Sequence, residues 1–187
     1  FSVVLEPGLP MFDANACRDA RLAEVDQAAR TRKVPTSLLA RWEAALDDVS
    51  RWKFAPAVVH GDLAPENVLT GNGQVISVLN WSNVHIGDPA TDLAWLYSGA
   101  PESSLDTIEE SYAIGRHERP DSHLSDRAML YSELAVVRWL LHGVKIHSSE
   151  IVADAERMLT DLSLHVETAA PSVAPAANWE VSGTIRF

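Results

Sequence analysis

The chain has 187 residues, 47% hydrophobic and 22% charged, which fits one globular domain, or one and a fragment, and excludes collagen-like and wholly disordered chains. Its 15 Lys and Arg against 26 Asp and Glu leave a net charge of −11, which argues against a nucleic-acid partner, since phosphate binding needs clustered cations. The longest unbroken apolar run, Leu93 to Tyr97, falls far short of the ~18 residues of a membrane span, so no membrane partner is expected.

The single cysteine, Cys17, permits no internal disulfide, and no Cys-x-x-Cys pair is present; a reducing cytoplasm is the expected compartment. Residues 1–12 read as a short extended segment interrupted by Pro7-Gly8 and Pro10. Val3-Val4-Leu5 look like the tail of a strand whose partners are absent, and no initiator Met is present, so the chain is expected to start mid-protein. Asp13 or Asn15 can cap a helix reaching about Arg32. Its apolar residues Leu22, Val25 and Ala29 are few, which leaves one face to solvent. Pro35 stops it, and Thr36 is the expected cap of a second helix with a core stripe of Leu38, Leu39, Trp42, Ala45, Leu46 and Val49.

The periodicity then changes. Ala57-Val58-Val59 predict a short strand, and residues 60–67 a loop. Val68 to Thr70, the turn Gly71-Asn72-Gly73, and Val75 to Trp81 predict a β-hairpin. Asp88 as N-cap with Pro89 at the first helical position opens a helix ending near Gly99. Ser103 to Gly115 reads as a helix with acid on one side. Ser125 to about His147 carries Leu130, Leu134, Val137, Leu141 and Val144 at helical spacing, widened by Val136, Trp139 and Leu140, and should be the most buried helix. Ser149 starts a last helix with Ile151, Ala155, Met158, Leu162 and Val166 on one stripe. Residues 169–187 are expected to be a loosely ordered, Ala/Pro/Ser-rich tail. The fold class is α+β, mainly helical, in one unit over residues 13–168.

The stretch that points to chemistry is His60-Gly61-Asp62-Leu63-Ala64-Pro65-Glu66-Asn67-Val68-Leu69. An Asp and an Asn five residues apart on a loop stiffened by Pro can share one pocket. Phosphoryl transfer needs such parts: a carboxylate to orient a hydroxyl and take its proton, and a hard oxygen ligand for Mg²⁺. An ordinary hairpin connection, with Asp62 and Asn67 making Asx turns, accounts for the same residues.

This stretch resembles the catalytic loop of the aminoglycoside and macrolide phosphotransferase family, kinase-like enzymes whose loop is similar to the H-R-D-x-x-x-x-N loop of protein kinases. Val75 to Trp81 is similar to the family's hairpin ending in an Ile-Asp-Trp-like metal motif. Gly87-Asp88-Pro89-Ala90-Thr91-Asp92-Leu93-Ala94 is similar to its G-D-P-x-x-D-L-A segment. The resemblance implies a protein-kinase-like C-terminal lobe with a small catalytic hairpin over most of residues 1–168, residues 1–12 being a hinge to an N-terminal lobe that is missing. It implies Asp62 as the catalytic carboxylate, Asn67 as a Mg²⁺ ligand, and His60 and Asp92 as supports of the loop. The donor would be ATP or GTP. The acceptor would be a small hydroxylated, cationic molecule such as an aminoglycoside antibiotic or a macrolide amino sugar. Glu102, Asp106, Glu109 and Glu110 form an acidic cluster suited to it, and equally suited to a solvated helix face.

The chain departs from the family pattern at three points. Ala64 stands where the family often has His. Asn80 falls at the metal-binding Asp, so Asn67 and Asn80 would hold Mg²⁺ through neutral oxygens; Asp88 would supply the missing charge only if the loop folds back, its capping role competing. Ahead of Asp62 there is no phosphate-covering glycine loop and no strand lysine, so the isolated chain is expected to be inactive. Apolar surface left open by a missing lobe would favour homodimers. The alternative reading is a non-catalytic, pseudokinase-like binding module, supported chiefly by Asn80.

Overall fold

The computed structural model describes residues 8–116 and 120–169; the expectations for residues 3–5 and 170–187 lie outside the described residues. Six α-helices are described: α1 (Ala14–Thr31), α2 (Thr36–Asp47), α3 (Ala90–Gly99), α4 (Leu105–Gly115), α5 (Leu124–Lys145) and α6 (Ser149–Ala169). Four short strands accompany them: β1 (Ala57–Val59), β2 (Val68–Gly71), β3 (Gln74–Val78) and β4 (His85–Gly87). No helix among the described residues is long and apolar enough to cross a membrane.

Helix α1 starts at Asp13, whose carboxylate accepts from the Ala16 N–H at 2.8 Å, satisfying one of the donors a helix start leaves open. Val25 and Ala28 are its buried residues; Ala29, expected inside, is only half-buried. Thr36 does not cap α2. Pro35 sits at the cap with no side-chain hydrogen bond, and Thr36 is the first helical residue. Leu38, Trp42 and Leu46 are fully buried at four-residue spacing, whereas Val49, expected on that stripe, is exposed. Asp48 leaves helical geometry, and the following 3₁₀ turn over Val49–Trp52 rotates Val49 outward.

The hairpin turns at Asn72-Gly73, both at positive φ (51° and 75°), as a two-residue turn between right-twisted strands requires. Its second strand stops at Val78 and does not reach Trp81. Asn80, at φ 62°, turns the chain into a 3₁₀ turn that begins at Trp81. Strand β4, which local sequence does not announce, pairs antiparallel with β1. Pro10 and Phe12 exchange backbone hydrogen bonds with Ile86 at 2.9 and 2.8 Å, so residues 10–12 are tied to this sheet.

Helix α5 is the centre of the molecule, packed mainly between α3 and α6. Leu130, Leu134, Val137 and Leu140 are buried; Val144 and Trp139 are exposed. On α6 Ala155 is buried as expected and Leu162 and Val166 pack against the core, but Leu159 is buried in place of Met158, which is exposed.

The core also holds charges that the apolar pattern does not reveal. Arg127 of α5 is 1% exposed. It donates to Asp88 at 2.7 and 3.1 Å, to Asp121 at 2.8 and 2.9 Å, and to the Arg51 carbonyl at 2.8 Å. Burial opposes its charge, but the two carboxylates hold the guanidinium protonated above its ordinary range. Tyr131 donates to Asp88 at 2.9 Å, and burial drives this hydroxyl's pKa well up. Glu133 accepts from the Trp42 indole at 2.7 Å and from Arg41 at 3.0 Å, pinning α2 to α5.

Candidate active site

The loop from His60 to Asn67 leaves β1 and is fastened from three sides. Asp92, in the first turn of α3, accepts from the His60 and Gly61 N–H groups at 2.6 and 2.9 Å. The buried His60 ring donates from Nε2 to the Leu79 carbonyl at 2.7 Å. A carbonyl can only accept, so Nε2 carries the proton, and Nδ1 accepts from the Asp62 N–H at 3.3 Å. Both ring nitrogens are engaged with main chain, and Trp81 packs edge-on against the ring at 4.8 Å. The ring therefore sets the loop's position and has no nitrogen left for a ligand.

Gly61 is needed where it stands. Its φ is +82°, and a Cβ there would lie 2.5 Å from the Asn83 carbonyl oxygen and 2.9 Å from the His85 ring. Gly61→Ala is expected to lower stability by roughly 1–3 kcal/mol, because both backbone strain and a main-chain clash oppose the methyl. Urea unfolding of the purified variant measures this; an unchanged midpoint would contradict the described loop.

Beyond Gly61 the loop presents Asp62, whose side chain is exposed and makes no hydrogen bond among the described residues. Asn67 closes the loop: its Nδ2 donates to the Asp62 carbonyl at 2.8 Å, its N–H to the Ala64 carbonyl at 2.9 Å, and its own carbonyl accepts from Leu79 at 2.8 Å. With the amide nitrogen committed, Asn67 Oδ1 is left facing no protein donor among the described residues. Leu79 carries the chain directly to Asn80, whose Oδ1 accepts from Ser82 at 3.0 Å. The backbone of Asp62, Asn67 and Leu79 is thus stitched into one unit with Asn80 adjoining it.

Asp88, the carboxylate nearest to Asn80 in sequence, is not available to this unit. It is 1% exposed, accepts from the Ala90 N–H at 3.0 Å at the start of α3, and is otherwise consumed by Arg127 and Tyr131. No group of three or more His, Cys, Asp or Glu placed to hold a metal occurs among the described residues. The side-chain oxygens that remain are the carboxylates of Asp62 and of the exposed Glu66 beside Asn67, and the neutral amides of Asn67 and Asn80. The two amides suit a hard cation in donor type and would leave its charge to be balanced by a bound anion.

Asp62 borders a cleft of about 950 Å³ walled by α1, α3 and α5, a size that holds a small molecule. Arg21, Glu24, Trp95, Arg138 and Trp139 contribute to its walls, as does Cys17, whose thiol pKa burial pushes up. Sequence reading missed these positions, since the cleft exists only once three helices meet. The acidic residues of the following segment lie elsewhere. Asp106, Glu109 and Glu110 are on α4 and none lines this cleft; the side chain of Glu102 lies outside the described residues. Glu109 accepts from the Tyr97 hydroxyl at 2.8 Å, and burial, with that carboxylate, raises the Tyr97 pKa to about 12.

The sequence matches the family described as "Phosphotransferase enzyme family" over residues 7–128. The uncharacterized protein YcbJ of Bacillus subtilis (strain 168) is 31% identical over 102 residues, which are 52% of this chain and 33% of that protein. Viomycin phosphotransferase of Streptomyces vinaceus is 42% identical over 69 residues, 35% of this chain and 23% of that protein. Among solved structures, a macrolide 2'-phosphotransferase type I superposes with a TM-score of 0.73 at 27% identity, covering 81% of this chain and 50% of that one. The chain therefore spans about a quarter to a half of the length of these relatives.

Proposed function

The chain belongs to the phosphotransferase enzyme family, with the kinase-like fold of its members, and on that premise we propose that it supplies the C-terminal lobe of a small-molecule kinase. The reaction is transfer of the γ-phosphoryl group of ATP or GTP to a hydroxyl of an acceptor held in the cleft, in the cytoplasm. The observation that carries this reading is Asp62: a carboxylate without a protein partner among the described residues, on a loop held by Asp92 and His60, at the edge of a cleft of small-molecule size.

In this reading Asp62 accepts a hydrogen bond from the acceptor hydroxyl, aligns its oxygen for attack and takes its proton. The loop contacts serve orientation: a carboxylate fixed before the substrate arrives loses little freedom at the moment of reaction. Asn67 Oδ1, freed by the bond from its own amide nitrogen to Asp62, and Asn80 would hold Mg²⁺. The ion's contribution, when bound, is to neutralise charge on the nucleotide phosphates. A second lobe would have to cover those phosphates. The rival reading, a non-catalytic module, rests on Asn80 and is not favoured beside a relative that is a named phosphotransferase.

The test is transfer of labelled γ-phosphate to a hydroxylated acceptor by the protein carrying both lobes. Turnover that Asp62→Asn leaves intact would sink the proposal. Asn80 offers a graded test. Its left-handed backbone is one that Asp also tolerates, so Asn80→Asp changes charge with little change of shape. It is expected to lower the Mg²⁺ concentration needed for nucleotide binding about tenfold and to raise turnover, one added charge beside a divalent ion being a large electrostatic term. Titration of nucleotide binding against Mg²⁺ reads this without reference to activity. An unchanged midpoint would remove Asn80 from the metal site.

A further inference from the structure

Residues 10–12 and the Asp62 loop meet at one side chain. Pro10 and Phe12 are tied to Ile86 by main-chain bonds at 2.9 and 2.8 Å, and His85 precedes Ile86 on β4. The Phe12 ring stands edge-on to the His85 imidazole, with centroids 5.3 Å apart and planes at 81°. The same imidazole lies against the loop. A Cβ on Gly61 would come within 2.9 Å of its Cε1 and 3.0 Å of its Nδ1, and a Cβ on Gly87 within 2.9 Å of its Cδ2 and Nε2. Glycine at both positions is what gives the ring its seat. Its orientation is fixed as well: the Asn83 carbonyl, 2.7 Å from Nδ1, can only accept, so Nδ1 carries the proton and donates. The sheet does not make this link by itself. Strand β4 pairs with β1 only as far as Val59, whose partner is His85, and the chain then leaves the sheet as loop.

We propose that His85 is a positioning residue whose ring carries the placement of residues 10–12 to Gly61, and so to Asp62, which follows it directly. The Asp62 side chain makes no hydrogen bond among the described residues, so its aim depends on the backbone that bears it. On the kinase reading above, with residues 1–12 as the hinge to a second lobe, one contact sets both the seat of the hinge and the direction of the carboxylate. Phe12 and His85 border the same cleft as Asp62, which places the link beside the acceptor. Coupling of this kind travels through packed side chains, and a double-substitution cycle isolates it.

The measurement is amide hydrogen exchange in the full 187-residue chain, with no nucleotide and no acceptor present. Because nothing is transferred, failure here leaves the kinase reading standing, and absence of transfer by the two-lobed protein would leave this coupling standing. His85→Asn keeps a donor for the Asn83 carbonyl and removes the ring. It is expected to speed exchange at Gly61, Asp62 and Asn67 about fivefold, the order of one lost edge-to-face contact. Phe12→Ala keeps the main-chain bond to Ile86; it is expected to speed the same amides about threefold, and to add nothing in the His85→Asn background. Phe12→Tyr, which restores a ring, should return the loop to its original rate. Phe12 is 44% exposed, so Phe12→Ala should fold even where His85→Asn does not. A role in stability alone would speed the buried amides of Leu134 and Val137, which exchange through unfolding of the whole, and leave the locally opening loop where it was. That pattern, unchanged loop exchange in Phe12→Ala, no rescue by Phe12→Tyr, or additive effects in the double variant would each overturn the assignment.

Discussion

Asp62→Asn in the protein carrying both lobes is expected to cut phosphoryl transfer by about 10²–10⁴-fold, the range lost when a positioned general base is removed. Nucleotide affinity should stay within about twofold, because Asp62 acts on the acceptor hydroxyl and not on the phosphates. Stability should also hold. The side chain is exposed and makes no hydrogen bond among the described residues, so its removal orphans nothing. That combination separates Asp62 from its neighbours. Asp92→Ala would also lower transfer, but by freeing the buried N–H groups of His60 and Gly61, so its loss of activity comes with a loss of stability. Initial rates, nucleotide titration and urea midpoints on the two variants distinguish a base from a brace. A comparable stability loss in Asp62→Asn would mean that the carboxylate is structural.

The largest stability effect is expected at Arg127. Arg127→Ala leaves Asp88 buried without its ionic partner and removes donors to Asp121 and to the Arg51 carbonyl. Breaking a buried pair from one side costs about 3–5 kcal/mol, mostly the penalty of the stranded charge. For a domain of this size that is a large share of total stability. Asp88 also accepts from the Ala90 N–H at the start of α3, and α3 carries Asp92, so the damage should reach the loop and lower transfer as well. Urea unfolding measures the loss; a change below 1 kcal/mol would show that the network is not the anchor described. Asp121 supplies the pH dependence. Burial tends to raise its pKa, but the hydrogen bond and charge of Arg127 prevail and hold it below the ordinary carboxylate value. A depressed folded-state pKa adds stability above the unfolded-state pKa, near 4, and that stability is lost as pH falls through the folded value. Stability should therefore fall on acidification below about pH 4, and by less in Asp121→Asn.

Much of the site is legible in one segment, because its parts are local. A loop of eight residues holds Asp62 and Asn67, a hairpin announces itself by Asn72-Gly73, and Asp88-Pro89 marks a helix start to within a residue. Helical spacing also located α2, α5 and α6, since a buried stripe must recur each turn whatever it packs against. What the stripe leaves open is rotation. Met158 was expected inside where Leu159 is, and Val49 lies beyond the point where the helix ends, because neighbouring helices decide which of two adjacent apolar residues faces in. Strand β4 was invisible, since three residues carry no period and only pairing with β1 makes them a strand.

The charges followed the same division. Arg127 stands three residues before Leu130 and seven before Leu134 on the buried face of α5, yet the apolar pattern passes over it. Its partner Asp88 lies 39 residues away on another element, a distance that local rules do not span. The cleft is the extreme case. Trp95, Glu24 and Arg138 come from three helices, and nothing in their own neighbourhoods marks them. The sequence alone determined which side chains the loop can offer; the packing of α1, α3 and α5 decided the cleft that stands beside it, because a cavity is a property of the surfaces that enclose it.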